Sequence, residues 1–443
     1  MDMLIFKEAE FLGRIALCQK RQREQGFNGM LVSAEANINY YSGYRTHAPW
    51  TTFTRPMFLF IPAEGRPLLY TQTFVTPEAR LRSYGCDHRN FDSLLGPTAQ
   101  DLAGIMEELH MHTGKIGFEL GFEQRINYQP DTLFALREIL KDAEFTDASG
   151  IIWSQRIIKS ADEIECHRRA CQATGYAHDK TFYSIEAGMT EREISMLAQQ
   201  CMLEGGAEYP GFVIITSGEG NYERISAISS DRRIQKGDLL WLDLGAVYNG
   251  YWSDFCRAGV VGPISDERNK MQDDIYDATD EAASIMRPGT PIRDVAYACG
   301  KALEKRGYSA TYDCGRMGHG MGLMSTEPPS VTVRDEGILK PGMIINLEPG
   351  ILVDSGVFCI EENYVITEDG YERLSTGSRK LHQIAADPQI RKQPIGSSRW
   401  AVFLRFVTRY HTGFYISRNR SLFWPGGRGG CLVRRCGRRG GRG

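Results

Sequence analysis

No uninterrupted apolar run of about 18 residues occurs in this sequence, so a membrane-spanning helix is not expected and no membrane partner is assigned. The opening MDMLIFKEAEFLGR carries acids early. It lacks the basic-then-apolar order of a secretory leader, and the expected location is cytoplasmic. Eleven cysteines are present, but without a CxxC pair or a regular spacing. That argues against a zinc module or a disulfide scaffold and for reduced, buried thiols. Acids are absent from residues 388 to 443, which hold 12 Arg and one Lys. The formal net charge of −3 therefore hides −16 on residues 1 to 387.

What remains is ordinary for globular protein: 443 residues, 42% hydrophobic and 24% charged, enough for two or three cored domains. From Glu8 to about Ala148, helical and strand-like segments alternate. An amphipathic FLGRIALCQKRQREQG closes at Gly26, and FNGMLVS, ANINYYSG, RPMFLFIPA, RPLLYTQ, KIGFELG and AEFTDAS follow as strands of an α/β layer. IIWSQR reads as a connecting strand, and Ser160 with Glu163 reads as a capping box that opens a long helix. These signals divide the chain into an N-terminal domain (8–150), a second domain (151–385) and a basic Gly/Arg-rich tail (386–443). The second domain interleaves helices with two pairs of strands, which suits a curved antiparallel sheet with helices outside. The tail, ending FWPGGRGGCLVRRCGRRGGRG, is expected to be disordered or foreign to the domains, with RNA binding through its RGG-like segment as the alternative.

The stretch WLDLGAVYNGYWSD places Asp243 inside an apolar run and Asp254 at the end of the next. An ionised carboxylate in such surroundings is costly unless a cation meets it. The turn-like VYNGY would fold both acids toward one place. His319 lies in MGHGMG, Glu348 in NLEPG and Glu361 after Ile360; the glycines around His319 would let backbone approach a ligand closely. Four carboxylates and one imidazole suit a pair of divalent ions (Mn, Co, Zn or Fe) better than one tetrahedral zinc.

The order DLG…SD, GHGMG, EPG, IE across roughly residues 155 to 375 resembles the M24 metallopeptidase family, whose pita-bread fold is shared by methionine aminopeptidase, Xaa-Pro aminopeptidase, prolidase and creatinase. The preceding region is similar to the creatinase/prolidase N-terminal domain. The resemblance implies an α+β fold, a pita-bread catalytic domain behind a smaller α/β domain. It also implies a homodimer and five metal ligands: Asp243, Asp254, His319, Glu348 and Glu361, the last chosen over its neighbour Glu362. The implied activity is hydrolysis of a peptide or amide C–N bond, Xaa-Pro aminopeptidase- or dipeptidase-like, with Glu348 as proton acceptor.

Three histidines and an arginine of the family's proline-specific peptidases are missing. Ser226, Gly315 and Thr326 stand in the histidine positions, and Cys359 stands where Arg is expected. Ser226 and Thr326 are therefore the catalytic candidates, with Glu327 beside them for substrate. In the loop YRTHAPW, Arg45, His47 and Trp50 combine a cation, an imidazole and an aromatic, as substrate-binding loops often do. The missing histidines also keep open a non-peptidase reading, such as a creatinase- or ectoine hydrolase-like amidohydrolase or a dimethylsulfoniopropionate-type lyase, and a non-catalytic binding module as a third.

Overall fold

The computed structural model describes residues 6–46, 55–310 and 315–387. Its first amphipathic segment forms α1 (Glu8–Glu24), which gives way at Gly26, φ 73°. β1 (Phe27–Val32) follows as expected. The expected strand ANINYYSG is instead helix α2 (Glu35–Ser42). A short apolar run without clear period does not separate the two states; Gly43 at φ 81°, donating to the Asn39 carbonyl, supplies the left-handed cap that closes a helix.

Next come β2 (Phe58–Pro62), β3 (Leu68–Gln72), α3 (Thr76–Arg82), β4 (Asp87–Phe91), α4 (Ala99–Glu108), β5 (Gly114–Phe118), α5 (Pro130–Ile139) and β6 (Ala143–Asp147). The strands form one mixed sheet in the order β4-β3-β2-β1-β5-β6. Alternation splits its side chains between two cores. Val32, Leu59, Ile61 and Leu69 pack with Phe11 and Tyr41, whereas Leu31, Phe58, Phe60 and Tyr70 pack with Leu102 and Met106. The sequence IIWSQR is also helical, as α6 (Ser149–Arg156): Asp147 accepts from the Ser149 amide and hydroxyl and so satisfies donors at the helix start.

α7 (Ala161–Ser184) opens with the expected capping box, Ser160 and Glu163 each bonding the other's backbone N–H. α8 (Glu191–Glu204) repeats the device with Thr190 and Glu193. β7 (Tyr209–Ser217), β8 (Leu239–Tyr248), β9 (Tyr251–Trp252) and β10 (Phe255–Val261) build an antiparallel unit with β8 between β7 and β10. Asn249 and Gly250, at φ 52° and 84°, make the tight turn between Tyr248 and Tyr251, the two left-handed positions that a two-residue hairpin favours.

α9 (Asp266–Ala283) and α10 (Ile292–Lys305) precede a second sheet. It contains β11 (Gly318–Gly320), β12 (Glu327–Ser330), β13 (Ile344–Leu347), β16 (Glu362–Ile366) and β17 (Tyr371–Arg373), in the order β12-β11-β13-β16-β17. Between β13 and β16 lies the hairpin β14 (Gly350–Val353) with β15 (Gly356–Cys359). β18 (His382–Ile384) joins β10 in parallel. The second domain thus has two sheets and a hairpin rather than a single sheet.

Candidate metal centre

Each of the five proposed ligands lies on or beside a strand of these sheets. Asp243 is on β8, opposite Ile214 of β7 and Cys256 of β10. Asp254 precedes β10, His319 is the middle residue of β11, Glu348 follows β13 and Glu361 links β15 to β16. Asp254, His319 and Glu361, all buried, offer ligand atoms within 4.8 Å of one another. Asp243 and Glu348 lie outside that tightest set but within its electrostatic reach. Burial, then Glu361 and Glu348, drives the Asp243 carboxyl well above its ordinary range; Asp254 is raised by burial, Glu361, Asp243 and Glu348. Burial and Glu361 push Glu348 up to about 7.

His319 donates its Nδ1 proton to the Gly320 carbonyl at 2.9 Å, which leaves the Nε2 lone pair 3.6 Å from Asp254 Oδ2. Burial, helped by Arg316, holds its pKa down to about 3, so the ring is neutral and suited to a cation. Asp243 Oδ1 is buried with no hydrogen-bond partner among the described residues. An orphaned carboxylate oxygen beside three more acids and a neutral imidazole is what divalent cations would satisfy, and the donor set fits them.

The adjacent acids Glu361 and Glu362 point to different places. Glu362 accepts from Arg257 Nη2 at 3.1 Å and from the Ser375 hydroxyl, and Arg379 Nε lies 2.7 Å away. Its charge is spent on an interior cluster, whereas Glu361 faces Asp254 and His319. Sequence reading misses the two asparagines that organise this floor. Asn346 Nδ2 donates to Glu361 Oε1 at 2.6 Å and lies 3.2 Å from His319 Nε2. Asn363 clamps the Asp254 backbone, donating to its carbonyl at 2.6 Å and accepting from its amide at 3.1 Å. Both sit in apolar strands, the same signal that exposed Asp243.

The glycines flanking His319 serve the strands rather than a ligand. A Cβ at Gly318 would come within 1.9 Å of the Asn346 carbonyl oxygen, and one at Gly320 within 2.2 Å of the Pro328 carbonyl oxygen.

The remaining candidates separate. Thr326 is half-buried at the rim, and its hydroxyl accepts from Arg316 Nη2 at 3.3 Å; Arg316 Nε also donates to Glu348 Oε1 at 3.3 Å. Arg316 was not singled out by the sequence. Ser226 is exposed on a loop lining a cavity of about 440 Å³ with Phe212 and Ile214. Glu327 is a correction: it is 1% exposed and its carboxylate is taken by Arg156, by Lys159 at 3.5 Å and by the Met324 amide at 3.1 Å, which leaves nothing for substrate. Burial alone would raise its pKa, but Arg156 and Lys159 hold it below the ordinary value. Arg45 pairs with Glu208 at 2.6 Å beside the Gly250 turn. His47 and Trp50 lie outside the described residues, as does the tail from 388.

Two sheets whose strand ends carry acids and a neutral imidazole to one point define a metal-dependent hydrolase class, and comparison with known proteins specifies it. The model of metallopeptidase family M24 matches residues 165–368, and that of the creatinase/prolidase N-terminal domain matches residues 14–158. An Xaa-Pro dipeptidase of Pyrococcus furiosus is 33% identical over 263 residues, 59% of this chain and 75% of that protein. Among solved structures, the prolidase of Pyrococcus horikoshii superposes with TM-score 0.72 at 27% identity, covering 83% of this chain and 99% of that one. An Xaa-Pro dipeptidase of Bacillus anthracis gives 0.73 at 25%, covering 84% and 100%. The chain belongs to metallopeptidase family M24. It is a hydrolase with the pita-bread fold of that family behind a creatinase-type N-terminal domain.

Proposed function

We propose that this protein hydrolyses the C–N bond of short peptides, Xaa-Pro peptides first among them, with two divalent ions held by Asp243, Asp254, His319, Glu348 and Glu361. The observation that carries the reading is four buried acids with raised pKa around one neutral imidazole, three of them pushed up further by acidic neighbours, with a carboxylate oxygen left unpartnered. The printed names of the relatives, Xaa-Pro dipeptidase and prolidase, support the substrate class. The ions, when bound, would supply Lewis acidity and lower the pKa of water toward neutrality.

The protein's own groups do the rest. Glu348, on the open side of the cluster, takes the proton lost by the attacking water and returns it to the leaving nitrogen. Asn346 and Asn363 fix the floor against which the scissile carbonyl is presented. Thr326 offers a hydroxyl at the rim, and Ser226 lines the cavity beside β7. We assign manganese as the first ion to test, a homodimer as the assembly and the cytoplasm as the location.

A second reading, hydrolysis of a small zwitterionic amide, is favoured by one observation: Ser226, Gly315 and Thr326 provide none of the imidazoles of the family's proline-specific enzymes. Metal analysis of the purified protein, with Xaa-Pro dipeptides assayed beside creatine- and ectoine-like amides and Asp254→Ala as control, tests both. Metal-dependent turnover of dipeptides supports the first reading; turnover of the small amides alone replaces it. A protein that takes up no divalent ion overturns both.

A further inference from the structure

We infer that Arg316 is the substrate-recognition cation of this site and that it selects peptides by a carboxylate next to the scissile bond. The inference rests on the peptide-hydrolase reading above. Arg316 precedes β11 by two residues and is 31% exposed, next to Glu348 at 27%. Its two hydrogen bonds, to Glu348 Oε1 and Thr326 Oγ1, are both 3.3 Å, the long end of the range. A guanidinium has five N–H donors, so three have no acceptor among the described residues, on the solvent side of the acid cluster.

Charge points the same way. Two divalent ions would cancel Asp243, Asp254, Glu348 and Glu361. Glu362 is already neutralised by Arg257 and Arg379. Among the described residues, Arg316 is then a part-exposed positive charge whose carboxylate partner is itself one of the proposed metal ligands, Glu348. The cation beneath Glu361 is committed: Arg257 donates to the Ser378, Cys256 and Glu361 carbonyls as well as to Glu362. Cys359 is nearly buried, with its thiol on the Glu348 carbonyl, and offers no charge. A planar fork with unused donors matches a carboxylate in two-point geometry.

The test compares an Xaa-Pro dipeptide with its C-terminal amide on the manganese-loaded protein, and proline with prolinamide by calorimetric titration. For the native protein KM for the acid should be at least tenfold below that for the amide, and proline should bind where prolinamide does not. In Arg316→Gln the acid-to-amide preference should collapse to within about twofold, and Arg316→Lys should keep part of it. Bound manganese and far-ultraviolet circular dichroism establish that both variants are folded and loaded. Equal losses on acid and amide, or a loss in kcat with the preference intact, would make Arg316 a positioning group for Glu348 and overturn the inference. If the native protein cleaves neither substrate, the peptide-hydrolase reading fails, and the titration alone decides: proline binding lost in Arg316→Gln upholds the anion site, and equal binding of proline and prolinamide ends it.

Discussion

Glu361 and Glu362 differ by one position in the chain, yet the fold gives them opposite duties. Glu361→Gln should lower bound metal per chain and, by relieving the repulsion on Asp243 and Asp254, should raise the thermal midpoint of the metal-free protein at neutral pH. Glu362→Gln should leave the ligand set intact but strand Arg257 and Arg379 in the interior, a loss of about 3–5 kcal/mol by denaturant titration. A second expectation concerns pH. A carboxyl whose folded pKa lies above its unfolded value keeps its proton longer in the native state. Its contribution to stability is therefore present at low pH and lost as pH rises from the ordinary carboxylate range near 4 through the folded value. Asp243, Asp254 and Glu361 are all raised, and Glu348 reaches about 7. Below about pH 6.5 the depressed histidines His319, His167 and His178 act in the opposite sense, so the acids are read above that range. The metal-free protein should melt at lower temperature at pH 8.5 than at pH 7 by scanning calorimetry, and saturating manganese should remove that slope.

Among the elements, the hairpin of β8 and β9 was legible because polarity and turn chemistry agree: an acid in an apolar run, then Asn-Gly. The capping box of α7 was legible because both partners are close in sequence. ANINYYSG and IIWSQR were misread as strands because short apolar segments carry no period of their own, and a glycine cap or an Asp147 side chain decides them. Asn346 and Asn363 escaped notice because asparagine carries no charge, although each interrupts an apolar strand as plainly as Asp243 does. Arg316 and the fate of Glu327 depend on contacts between distant segments, which spacing does not encode. Asn363→Ala should free the Asp254 backbone from β16 and weaken metal binding by about 10- to 100-fold, the range for groups that orient ligands, measured by competition with a chelator.

For the whole molecule, one chain of buried polar groups joins the N-terminal sheet to the strands of the metal site. Glu119, after β5, accepts from Ser33 and from Asn37 Nδ2 at 2.6 Å. Asn37 accepts from Arg156, and Arg156 with Lys159 holds Glu327 at the start of β12. Arg156→Met should leave the Glu327 carboxylate short of a partner and cost about 3–5 kcal/mol, and it should move the melting of both domains together in calorimetry. The glycines on either side of His319 carry a further consequence. With carbonyl oxygens about 2 Å from where their side chains would begin, the base of the site tolerates no remodelling. Anyone retuning which amides this protein accepts should leave that base untouched and diversify positions 226, 316 and 326, where the fold leaves latitude.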